Sequence, residues 1–124
     1  MLQLYAANGN LDQCSRDLFK KNKNTVIGMI LIASYVYYHI PAAECNILSD
    51  EVYDKMCKWC LDNWSKVCHP HKYLISEDDL RAGSLYALKE IDYPTIIKVS
   101  ADIAIRLCKQ SENQDGKTIS YWDF

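Results

Sequence analysis

The apolar stretch at residues 26–40, VIGMILIASYVYYHI, limits this chain more than any other feature, and it stops at Pro41. A segment so poor in charge has to leave water. It falls short of the ~20 apolar residues that span a bilayer. Ser34, several tyrosines and His39 also interrupt it. The chain shows neither the charged leading region nor the small-residue cleavage site of a secretion signal. The remaining solution is a helix buried at the centre of a globule. Thr25 would cap it, and Pro41 would end it near His39, because the residue before a proline avoids helical angles.

With 124 residues, 49% hydrophobic and 24% charged, the chain holds enough apolar material for a single core without staples. A net charge of -2 provides no basic footprint for nucleic acid. The local positive run Arg16, Lys20, Lys21 and Lys23 reads as a solvated helix end. Six cysteines without an export signal read as thiols in a reducing compartment, so the expected location is cytoplasmic.

Other helices announce themselves by their ends. Residues 11–21 form a short amphipathic segment with Asn10 as its cap. Ser49 precedes Asp50 and Glu51, acids that the positive end of a helix favours. From there Val52, Met56, Trp59, Cys60, Trp64 and Val67 recur at helical spacing as a buried stripe. Ser76 with Glu77, Asp78 and Asp79 opens another helix in near capping-box form, which Gly83 ends or kinks. Residues 85–90 read as helical, and Pro94 stands early in a last helix at 95–109. That helix carries Ile96, Ile97, Ala101, Ala104, Leu107 and Cys108 at helical period, although its β-branched start also fits a strand. Residues 110–120 are polar, and Tyr121, Trp122 and Phe124 would dock back or meet a partner.

The chemistry concentrates where the apolar helix hands over to the next one. Asp50, Tyr53 and Asp54 are spaced i, i+3, i+4 and share one turn of helix surface. At 100° per residue the two acids lie opposite the buried stripe, Tyr53 lies on its border, and Cys57 and Leu61 lie on the acids' side. Another helix or a ligand should therefore cover part of that side. An aromatic ring beside carboxylates suits a cationic ligand with hydroxyl groups. By spacing alone, a helix N-terminus with capping acids and core tyrosines is the better reading of the same residues.

Here the chain resembles a known family. Tyr38-His39 at a helix end, a short loop, then Leu48-Ser49-Asp50 and Tyr53-Asp54 are similar to the N-terminal helical subdomain of NAD-dependent DNA ligases. That subdomain grips the nicotinamide half of the cofactor. The resemblance covers residues 31–67, under a third of the chain, and its loop is longer than the usual one. It implies that Tyr38, His39, Asp50, Tyr53 and Asp54 contact nicotinamide mononucleotide (NMN), with the histidine meeting a phosphate. It does not imply a ligase, because no Lys-x-Asp-Gly occurs and the only Asp-Gly, Asp115-Gly116, lies in the polar tail.

Three further groups combine residue types that could carry chemistry. Cys57, Cys60, Cys68 and His71 follow a C-x2-C-x7-C-x2-H order, but the first pair sits within a helix, so structural thiols are the better reading. His69, His71 and Lys72 would form a partner-facing loop or a merely solvated one. The segment from His69 to Gly83, followed by Tyr93-Pro94, resembles small uncharacterised proteins of tailed-phage genomes that share the ligase-like motif. Glu77, Asp78 and Asp79 point in different directions and read as capping acids. No Ser-His-Asp order or phosphate loop is present, and four glycines leave little room for one.

The expectation is an all-α, compact single-domain bundle of about five helices. It would comprise a helical domain at 1–109 and a loosely ordered polar tail at 110–124. Its expected role is non-catalytic binding of NMN, NAD or a related nucleotide. The alternative is a phage accessory or virion protein that binds a host or phage protein and has lost the ligand. No metal, membrane or nucleic-acid partner is expected.

Overall fold

A computed structural model describes residues 4–113. Its regular structure is helical: α1 (Asp12–Lys21), α2 (Thr25–His39), α3 (Asp50–Asp62), α4 (Glu77–Ala82) and α5 (Thr95–Asn113). Single 3-10 turns stand at Pro41–Ala43, Lys72–Leu74 and Glu90–Asp92. The all-α expectation holds among these residues, where the one β-type pairing is an isolated bridge between Ala7 and Asn10.

The central helix is α2, against which α1, α3 and α5 all pack, while α4 lies on α3. Residues 26–36 are buried without interruption. A helix apolar on every side is stable in water only when neighbours surround it, and these three provide that cover. Among the described residues, no helix is long and apolar enough to cross a membrane. On α5 the buried positions are Ile97, Ala101, Ala104 and Cys108, a helical repeat whose alanines let α5 approach α2 closely. Ile96, expected on that stripe, is exposed.

Caps behave as local chemistry requires. Ser49 accepts from the Val52 amide at 3.3 Å, and Ser76 and Asp79 form a reciprocal capping box. The two other expected caps are not caps: Leu11 holds that position on α1, with Asn10 one residue earlier accepting from the Asp12 amide at 2.9 Å, and Thr25 is the first residue of α2. The polar tail expected from residue 110 starts later, because α5 continues through Asn113. The remainder of that tail, with Tyr121, Trp122 and Phe124, lies outside the described residues.

Two expected segments are corrected. Trp64 and Val67 do not belong to α3, which stops at Asp62. Asn63 turns its side chain back onto the Trp59 carbonyl at 2.9 Å and ends the ladder, an effect side-chain amides exert near helix ends. Residues 85–90 do not form a helix either. The Ser84 hydroxyl accepts from the Tyr86 amide at 3.2 Å and holds the chain in a turn while Leu85 enters the core.

Gly83 ends α4 at φ +68°, in the left-handed region that glycine tolerates. A Cβ placed there would sit 3.6 Å from Asp54 Oδ1, an ordinary contact, so the cost of a side chain is backbone strain. Gly83→Ala is expected to lose about 1–2 kcal/mol, read as a lower urea midpoint at unchanged slope. An unchanged midpoint would contradict the assigned conformation.

Candidate functional site

The handover from α2 to α3 opens into a cleft of about 280 Å³. Its base is the loop between the helices, where Ile47 and Leu48 are buried. That loop is tied to α1 by the Leu11 amide donating to the Ile47 carbonyl at 2.8 Å. The Ser49 amide donates to Asp12 Oδ1 at 2.9 Å. Local sequence therefore shapes the two helix ends, and α1 holds the loop between them in place.

Of the five residues nominated from sequence, Tyr38, Asp50, Tyr53 and Asp54 line this cleft. Tyr53 is half-buried, and its hydroxyl lies 2.6 Å from Ser34 Oγ on α2. Burial pushes that phenol well above its ordinary pKa, so it meets a ligand as a neutral hydroxyl. Tyr38 is fixed by Ser84 Oγ at 2.7 Å, and Tyr37 meets its ring edge to face at 4.8 Å. Asp50 and Asp54 are exposed on α3. The other helix called for on the acids' side is α4, which packs against α3 and brings Gly83 beside Asp54; Cys57 on that side is buried, and the open remainder is the cleft.

His39 is separated from the other four. Its Nε2 lies 3.1 Å from the Leu88 carbonyl, and its ring packs at 5.7 Å from Tyr35 and 5.3 Å from Tyr93. It does not line the cleft. Being next to Tyr38 in sequence does not help, because neighbours on a helix point about 100° apart.

Within that aromatic group Tyr93 is 3% exposed, and its hydroxyl has no hydrogen-bond partner among the described residues. An orphaned buried hydroxyl costs about 1–3 kcal/mol. Tyr93→Phe, which keeps the ring contacts, is therefore expected to leave thermal stability unchanged or to raise it. A clear drop in melting temperature would reveal a partner for that hydroxyl.

The remaining candidates have structural employment. Burial pushes the Cys57 thiol up to about 12 and the Cys60 thiol up to about 11, so both stay protonated and unreactive at neutral pH. Cys68 is exposed, and among the described residues no group of three metal-ligating side chains converges. His69 Nδ1 accepts from the His71 amide at 3.0 Å, and burial lowers the pKa of His69. Lys72 donates to the carbonyls of Trp64 at 2.5 Å and Val67 at 2.8 Å. Glu77 and Asp78 pair with Arg81 on the surface of α4.

Sequence reasoning missed Ser34, Tyr37, Cys45, Asn46 and Gly83, which also line the cleft. Ser34 had a readable signal, since it is the one serine or threonine in the buried run 26–36. The loop and glycine residues had none, because only the packing of α4 against α3 brings Gly83 to Asp54. No protein-family model, curated protein or solved structure matches this chain.

The arrangement is suited to recognition. Tyrosine faces attract a flat cation, and carboxylates accept hydrogen bonds from sugar hydroxyls. Among the described residues, no lysine and neither of the buried thiols of Cys57 and Cys60 lines the cleft.

Proposed function

We propose that the protein binds the nicotinamide riboside portion of a nicotinamide nucleotide, NMN, NAD or a relative, and does no chemistry on it. One observation carries this reading: Tyr38, Asp50, Tyr53 and Asp54, nominated by a sequence resemblance, all line one cleft. Its volume of about 280 Å³ lies at the small end of ligand sites, enough for a ring with its sugar while the rest of a dinucleotide stays outside. Tyr53 and Tyr38 supply ring faces, and the two aspartates supply acceptors.

Calorimetric titration with NMN and NAD, with AMP as control, tests the reading. Micromolar binding of the first two and none of AMP is expected. The variant Asp50→Ala with Asp54→Ala should abolish the heat while leaving the helical circular dichroism intact, since both side chains are exposed. Binding unchanged in that variant would refute the proposal.

A protein partner is the second reading, favoured by Tyr73, Tyr86 and Ile91, which are three-quarters exposed between α3 and α5. Exposed apolar side chains mark an interaction surface where they join into one contiguous patch. A stoichiometric partner captured equally well by the double aspartate variant would support this reading over the first.

A further inference from the structure

We infer that the cleft selects a cationic ribonucleoside without phosphate over its 5′-phosphate. This rests on the nicotinamide reading and narrows its ligand class. Among the described residues, Asp50 and Asp54 are the only Asp, Glu, Lys, Arg or His side chains that line the cleft. A phosphate monoester carries about -1.5 to -2 charges at neutral pH and needs bases or free amides to replace its water. His39, the residue that would have met it, is turned to the Leu88 carbonyl and the Tyr93 ring.

The positive end of α3 is partly taken already. Its Val52 amide is taken by the Ser49 hydroxyl, and the Ser49 amide by the Asp12 carboxylate. Asp50 and Glu51 already answer the dipole within the first turn. Other bases nearby in the chain are engaged. Lys55 pairs with Glu51 at 3.0 Å, and Arg81 pairs with Asp78 at 2.7 Å and Glu77 at 3.6 Å. Lys58, one turn beyond Asp54, does not line the cleft.

What remains in the cleft suits a flat cation with sugar hydroxyls. Tyr37, Tyr38 and Tyr53 provide aromatic surface, Asn46 adds an amide, and the two carboxylates balance a single positive charge. A phosphate brought into the same space would meet those carboxylates as a like charge, with no ionic partner to offset the loss of water.

The test is calorimetric titration of the intact chain with nicotinamide riboside, NMN and the neutral nucleoside inosine, at low and high salt. The riboside is expected to bind roughly tenfold or more tightly than either competitor. Its advantage over NMN should shrink at high salt and in Asp54→Asn, which keeps the side chain's shape. NMN binding as tightly as the riboside overturns this inference and leaves nicotinamide binding standing. Inosine binding equally well overturns it too, because the positive charge would then go unrecognised. Heat from none of the three overturns both.

Discussion

Leu31→Ala is expected to lose about 2–5 kcal/mol of folding stability, a large share of the ~5–15 kcal/mol available to a domain of this size. Leu31 is 0% exposed and sits midway along α2, whose residues 26–36 are all buried. A core position beside a mobile loop can collapse around a deletion. This one is enclosed by α1, α3 and α5, so the space left by the lost carbons stays open. The drop in melting temperature should be on the order of 10–20 °C. Leu31→Met, which nearly conserves volume, should lose less than about 1.5 kcal/mol. Urea unfolding of both variants checks this. A loss below about 1 kcal/mol for the alanine would mean that α2 is not packed on all sides.

Lys72→Met is expected to destabilise the chain by about 1–3 kcal/mol, although it replaces a charged loop residue of the kind that usually changes little. The Lys72 ammonium bridges the carbonyls of Trp64 and Val67 and lies 4.5 Å from the centre of the Trp64 ring. It thus closes the turn that follows α3, where the Trp64 and Val67 carbonyls lie beyond the helix's own hydrogen-bond ladder. Methionine keeps the stem and removes the donors, so the loss isolates the hydrogen bonds and the cation–π contact. Lys72→Arg should recover only part, since a planar fork does not fit two carbonyls held by a compact ammonium. Ligand binding should not change, because Lys72 does not line the cleft. A variant of full stability that loses a protein partner would return this residue to the surface role first assigned to it.

How far the sequence could be read depends on how local each cause is. The caps at Ser49 and Ser76 depend on a side chain reaching an amide three residues on, so they were visible in the letters alone. The buried run in α2 and the repeat in α5 were visible for the same reason, as was the position of Tyr53 on the border of its helix face. The end of α3 was not. Trp64 and Val67 keep the apolar spacing, but Asn63 and the distant Lys72 decide that the chain turns there. Residues 85–90 misled likewise, because a helical composition gave way to one serine hydroxyl and the burial of Leu85.

The candidate site divides along the same line. Tyr38 and Asp54 were nominated by pattern, and the cleft they share also needs Ser34, a loop tied to α1, and a glycine at the end of α4. Sequence alone determined that the chain is helical, where most helices begin, and that two acids and a tyrosine share one turn of α3. Tertiary structure alone decided that His39 faces Leu88 and Tyr93, that Lys72 serves the backbone, and that no base among the described residues lines the cleft. The reason is physical. Helical spacing and capping act within four residues and are written in order along the chain. Which side a histidine faces, or which carbonyl a lysine reaches, depends on segments that meet only once the core has closed.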